Sequence, residues 1–265
     1  MSWRARRVVA TDYQALYQQK ISPGEIASGG RRVKDLLTQY GTWIDKYRGG
    51  LPREWAGAIM RWESDGNFAA PGDPGLGEVG FYQVSGYVPG SFGMPAEVRL
   101  SPEGNVFAGL LEYQLDMAKW AVTFPDYVVL GTPDVAKLAR LSFSVGWGGS
   151  TTLAKAAIAG GYAARGALYD GIVDYVNATG GMQLGSQSPS QVWFRVVSIN
   201  PQWAVAEAAS TLGLGVGSPT HVPSPPGYPA YTIPQPYALL FTTPTSPLLF
   251  AAAILGLVVL WRFYG

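Results

Sequence analysis

Apolar residues along this chain recur mostly at three- and four-residue intervals, the spacing of one buried helix face, and seldom alternate in the manner of a strand. The local punctuation locates the helix starts. Leu51-Pro52-Arg53-Glu54 puts a proline at a first turn. Trp55, Ile59 and Trp62 then fall close to one face, and the pattern runs out at Gly66. Ser101-Pro102-Glu103 predicts a helix through about Val122, and Thr132-Pro133-Asp134 another through about Val145. Ser150 is a candidate cap for a fourth, Ser188-Pro189 opens a fifth, and Asn200-Pro201 opens a sixth ending near Gly213. Upstream, helices are expected around 11–20 and 32–48, with Ser22-Pro23-Gly24 and Ser28-Gly29-Gly30 reading as breaks. The 76–100 region suits a small hairpin. The expected fold is therefore mainly α with a minor β element.

Composition divides the chain further. Residues 1–50 are mixed and polar and read as an N-terminal helical extension, and 51–212 hold most of the periodic segments and read as the main domain. Residues 213–244 are poor in charge and dense in Pro, Gly and Ser, the composition of a semi-rigid linker. Residues 245–265 follow with the apolar run Leu248–Trp261. From Thr245 to Tyr264 Arg262 is the one charge, and it can snorkel beside Trp261 and Tyr264. This predicts a C-terminal transmembrane anchor; a helix docked on the main core is the alternative. The basic start, Met1 to Arg7, is not followed by an apolar segment and does not read as a secretory signal.

The residue inventory narrows the chemistry. A net charge of +1 provides no basic field for nucleic acid. The absence of cysteine excludes a thiol nucleophile, disulfides and a Cys/His zinc site. The single histidine, His221, lies in the Pro-rich segment, which argues against a Ser-His-Asp triad or a His-bound metal. No metal or organic cofactor is called for. Carboxylates remain for lyase or hydrolase work. Glycoside cleavage needs a carboxylic acid to protonate the departing oxygen, and burial against apolar groups keeps such an acid neutral. On the helix opened by Pro52, Ile59 and Met60 stand four and three positions before Glu63 and flank the same surface. An ordinary solvated glutamate near a helix end is the plainer alternative.

One segment favours chemistry. Glu63-Ser64-Asp65-Gly66-Asn67-Phe68 leads through a Gly/Pro-rich run into Gly80-Phe81-Tyr82-Gln83-Val84. This resembles the lytic transglycosylase and goose-type lysozyme superfamily, in which Glu-Ser-x-Phe-x-Pro is followed by a short loop and Gly-Leu-Met-Gln-Ile/Val. Here Glu63, Ser64, Gly80, Gln83 and Val84 are kept, Phe81-Tyr82 replaces Leu-Met, and the loop is about two residues longer. The resemblance spans about residues 50–180 and is specific only over 63–84.

The resemblance implies a lysozyme-like helical domain that cuts the MurNAc–GlcNAc bond of peptidoglycan, with Glu63 as general acid and base. It implies substrate contacts from Gln83, Ser64 and Tyr82, though helix-end or local bonding by Ser64 and Gln83 is the alternative. A later family element, Ala-Tyr-Asn-x-Gly, is matched only in outline by Ser142-Phe143-Ser144-Val145-Gly146, where Phe143 lacks the tyrosine hydroxyl. Tyr82, Tyr87 or another ring would have to compensate. Trp147 is a candidate sugar platform or a core residue. The single-carboxylate lyase is preferred to a muramidase hydrolase, for which the loop acids Asp65, Asp73 and Glu78 are candidate second carboxylates, Asp73 and Glu78 foremost. An inactive glycan-binding or structural membrane protein is the alternative of another class. Expected partners are peptidoglycan strands, a lipid membrane and virion proteins. A membrane anchor without an export signal points to the membrane of a lipid-containing phage particle, or else to the bacterial inner membrane facing the wall.

Overall fold

The computed structural model describes residues 12–72, 75–86, 88 and 95–212; the linker 213–244, the expected anchor 245–265, Asp73, Tyr87 and His221 lie outside the described residues. Nine α-helices are described: α1 Tyr13–Lys20, α2 Pro23–Tyr47, α3 Arg53–Ser64, α4 Pro102–Thr123, α5 Pro133–Val145, α6 Trp147–Ala159, α7 Leu168–Thr179, α8 Pro189–Val197 and α9 Ile199–Thr211. A short 3-10 turn, Ala96–Leu100, precedes α4. The protein is mainly helical. The described residues contain no strand, only the isolated antiparallel bridges Val79↔Val84 and Leu184↔Gln187; of the hairpin expected over 76–100 they show one bridged turn, and residues 87 and 89–94 lie outside them. Among the described residues no helix is long and apolar enough to cross a membrane.

The proline-marked starts behave as local capping requires. Ser22 and Ser101 accept from the backbone N–H of Glu25 and Gly104, and Ser188 with Gln191 forms a reciprocal capping box. Gly146, with φ +77°, separates α5 from α6, so α6 begins at Trp147 and the expected cap Ser150 sits inside it, bonded back to the Trp147 carbonyl at 2.9 Å. α7 has no local start signal. Its first N–H groups, on Leu168 and Tyr169, donate at 3.2 and 2.8 Å to the carboxylate of Asp134 on α5. A distant side chain thus does the work of a cap.

α4 occupies the centre: sixteen of its 22 residues are buried, the signature of a helix surrounded by others. Ser28-Gly29-Gly30 does not break α2, which runs through it. A Cβ on Gly29 would lie 2.8 Å from Val205 Cγ2 and one on Gly30 2.9 Å from Ala208 Cβ, so the pair is a notch for the close crossing of α9. Val33, Leu36, Leu37, Ile44 and Tyr47 of α2 belong to the same core as Trp55 and Ile59 of α3 and Val106 and Phe107 of α4. A boundary at residue 50 therefore does not divide two cores, and α2 is integral to the domain rather than an extension of it.

Candidate functional site

α3 brings Glu63 to its last turn, and Asp65 closes the helix in the left-handed conformation, φ 52°. Ser64, next to the carboxylate, ties that end to the following turn. Its Oγ lies 2.9 Å from the Phe81 carbonyl and 3.3 Å from the Met60 carbonyl, and accepts from Gly66 N–H at 3.2 Å. The turn is fastened from its other side by Asn105 of α4, which accepts from Tyr82 N–H at 3.0 Å and donates to the Val79 carbonyl at 2.9 Å. The two halves of the 63–84 segment thus form one packed unit. The rings of Phe68 and Tyr40 close against Phe81 at 5.1 and 4.6 Å.

Within that unit the polar candidates turn inward. Gln83 is buried, has φ +50°, and donates to the Gly80 carbonyl at 2.8 Å and to the Ala70 carbonyl at 3.5 Å, so its amide braces its own loop. Tyr82 is fully buried and its hydroxyl donates to the Ala56 carbonyl at 3.1 Å. Its ring rests on Gly109 of α4, where a Cβ would come within 2.5 Å of Tyr82 Cβ. The Tyr82 hydroxyl is thus committed to the Ala56 carbonyl, and the site residue it feels is Tyr113.

The neighbour of Glu63 is not the apolar pair expected. Ile59 and Met60 are wholly buried in the core, and the group facing the carboxylate is Arg140 of α5, with Nη2 2.5 Å from Glu63 Oε1. The side chains of Arg140 and Glu63 are 3% and 13% exposed. Arg140 also donates to the Tyr113 hydroxyl and to Gln202 Oε1, each at 2.9 Å. Its guanidinium carbon lies 5.4 Å from the Phe143 ring centre. Burial works against the charge on Arg140, but Glu63 and then Tyr113 outweigh it and hold the guanidinium above its ordinary value. Burial likewise pushes the Tyr113 hydroxyl up, with Arg140 opposing and Glu63 adding.

Phe143 stacks on Tyr113 with ring centres 5.4 Å apart, so it lies beside the Glu63–Arg140 pair after all. The phenol near Glu63 comes from α4 at Tyr113 instead of from position 143. Trp147 stands edge-on to Trp120 at 5.3 Å, with Lys119 Nζ 5.6 Å from its ring centre. The structure therefore brings together Glu63, Arg140, Tyr113, Gln202 and Phe143 from α3, α4, α5 and α9. Glu78 sits one residue before the Val79↔Val84 bridge and acts electrostatically on Glu112 of α4. Arg140, Tyr113, Gln202 and Glu112 carried no local pattern that marked them. The one available signal was an arginine set directly among Leu138, Ala139 and Leu141 on a helical stretch, where burial would require a counter-charge.

Such a centre holds a fixed carboxylate and a fixed cation in a poorly solvated place, an arrangement that can face a developing charge without reorganising. Among the described residues no group of His, Cys, Asp and Glu could hold a metal ion. Comparison with protein-family models, with curated proteins and with solved structures returned no match.

Proposed function

We propose that this chain is a peptidoglycan-cleaving enzyme of lysozyme-like helical fold, a lytic transglycosylase that breaks the MurNAc–GlcNAc bond with Glu63 at its centre. The observation that carries the reading is the union of Glu63-Ser64 and Gly80-Phe81-Tyr82-Gln83-Val84 into one braced unit through Ser64 and Asn105. That unit leaves a mostly buried carboxylate at its edge. Paired with Arg140, Glu63 is set up as an anion, the form that accepts a proton from an attacking hydroxyl or faces positive charge growing on the sugar carbon. The apolar run after the Pro-rich linker supports a membrane tether for the enzyme.

Digestion of purified sacculi tests this directly. Mass spectrometry of the released fragments should find anhydro-sugar ends, and Glu63→Gln should release none. Reducing ends would instead make the enzyme a muramidase hydrolase. A second reading has its own support: Tyr82 and Gln83 face inward, and the Glu63–Arg140 pair alone would serve stability. A non-catalytic glycan-binding protein would sediment with sacculi and release nothing, in the wild type as in Glu63→Gln.

A further inference from the structure

Glu63 is the outward member of its ion pair. Its side chain is 13% exposed against 3% for Arg140, so of the two it is the carboxylate that solvent, and hence a substrate, can reach. The three guanidinium nitrogens are each committed in a different direction. Nη2 meets Glu63 Oε1, Nη1 donates to the Tyr113 hydroxyl, and Nε donates to Gln202 Oε1. Tyr113 and Gln202 are neutral and compensate no charge. What they fix is the plane of the fork: one anchor would leave it free to swing, whereas two anchors on separate helices hold the outer nitrogen at one place. The Phe143 ring closes a further side, 5.4 Å from the guanidinium carbon.

The anchors are themselves held. Both are buried, and Gln202 stands one residue before Trp203, whose ring tilts on Trp55 of α3 with centres 4.9 Å apart. That contact registers α9 against the helix that carries Glu63, and the Gly29-Gly30 notch sets α9 against α2. α9 lies beyond residues 50–180, the stretch over which the sequence resembles the lysozyme-like enzymes, so that likeness gives it no part in the site. The geometry assigns it one: Arg140 and, through it, Gln202 are positioning residues that hold the Glu63 carboxylate at a single place and angle before the glycan. The assignment rests on the glycan-cleaving reading and deepens it. Neither residue touches the sugar; each acts through Glu63.

The test reads turnover of soluble, uncrosslinked glycan strands by the full chain, with urea unfolding followed separately. Gln202→Met removes the acceptor at nearly constant volume and leaves both charges in place. Its kcat per folded molecule should fall about tenfold with KM within about threefold of wild type, because a slightly misplaced carboxylate admits the substrate but meets the transition state badly. Arg140→Lys keeps the charge and gives up the fork, and should lose about 100-fold in kcat. The double variant should lose no more than Arg140→Lys alone, since Gln202 acts only through Arg140. A merely structural cluster would lower the urea midpoint and leave kcat of the folded fraction within about twofold in all three, which overturns the assignment. So would a loss carried wholly by KM, or losses in kcat that multiply in the double variant. In those cases fragment release by wild type, and none by Glu63→Gln, leaves the underlying reading standing. A wild type that releases nothing sinks both. Should Arg140→Lys not fold, Gln202→Met decides alone. Should neither fold, arginine side-chain NMR of the wild type decides: a slowly exchanging Nε–H signal that persists when a GlcNAc–MurNAc tetrasaccharide binds supports the clamp, and its loss on binding overturns it.

Discussion

Glu63→Gln removes the negative charge beside a guanidinium that is 3% exposed, and its cost can be bounded from the geometry. Two unit charges with centres about 4 Å apart attract by about 4 kcal/mol where the effective dielectric is near 20. Breaking a buried pair from one side costs about 3–5 kcal/mol, because the other charge is left stranded. Arg140 keeps its bonds to Tyr113 and Gln202, and the new amide still offers an oxygen, so the lower end of that range is expected. Tryptophan fluorescence, drawing on nine Trp residues, follows urea unfolding. With a slope of about 2–3 kcal/mol per molar, the midpoint should fall by about 1–1.5 M. Adding Arg140→Met removes the stranded charge, so the double variant should be clearly more stable than the sum of the two single losses. Additivity within about 0.5 kcal/mol would refute the pairing and return Glu63 to an independent carboxylate.

Glu112 should leave its own mark on stability. Because its folded-state value is raised to about 8 from 4.5, the native protein binds the extra proton between those limits, so stability declines as pH rises through that window. The decline is at most about 1.4 kcal/mol per pH unit, and Glu112→Gln should abolish it; urea midpoints of the two proteins from pH 5 to 9 check the difference. Gly30→Val should destabilise by about 1–3 kcal/mol through overpacking against α9, read as a lower melting temperature, while Gly24→Ala, where a Cβ meets nothing within 4 Å, should not destabilise. Asp134→Ala should cost about 1–2 kcal/mol and speed amide exchange at the start of α7 by hydrogen–deuterium mass spectrometry.

What the chain discloses locally and what it hides divide along physical lines. Ser101-Pro102, Thr132-Pro133 and Ser188-Pro189 mark helix starts within one residue because the cap, or the fixed proline dihedral, sits beside the helix it opens. α7 escapes notice because its cap lies on α5, and Gly29-Gly30 misleads because a pair of glycines serves a close helix crossing as well as it serves a turn. The site follows the same rule. Glu63 and the 63–84 unit are contiguous enough to be recognised, but Arg140, Tyr113 and Gln202 arrive on three other helices. Only tertiary packing reveals that a salt bridge, not an apolar wall, is what meets Glu63.

The borrowed cap on α7 has a consequence for assembly. A helix closed by a carboxylate 34 positions upstream cannot complete itself during synthesis until that earlier segment is already wound and in place. Its amides should therefore open to exchange together with those of α5, as one cooperative block, and a fragment beginning after Val145 should leave residues 168–179 largely uncoiled.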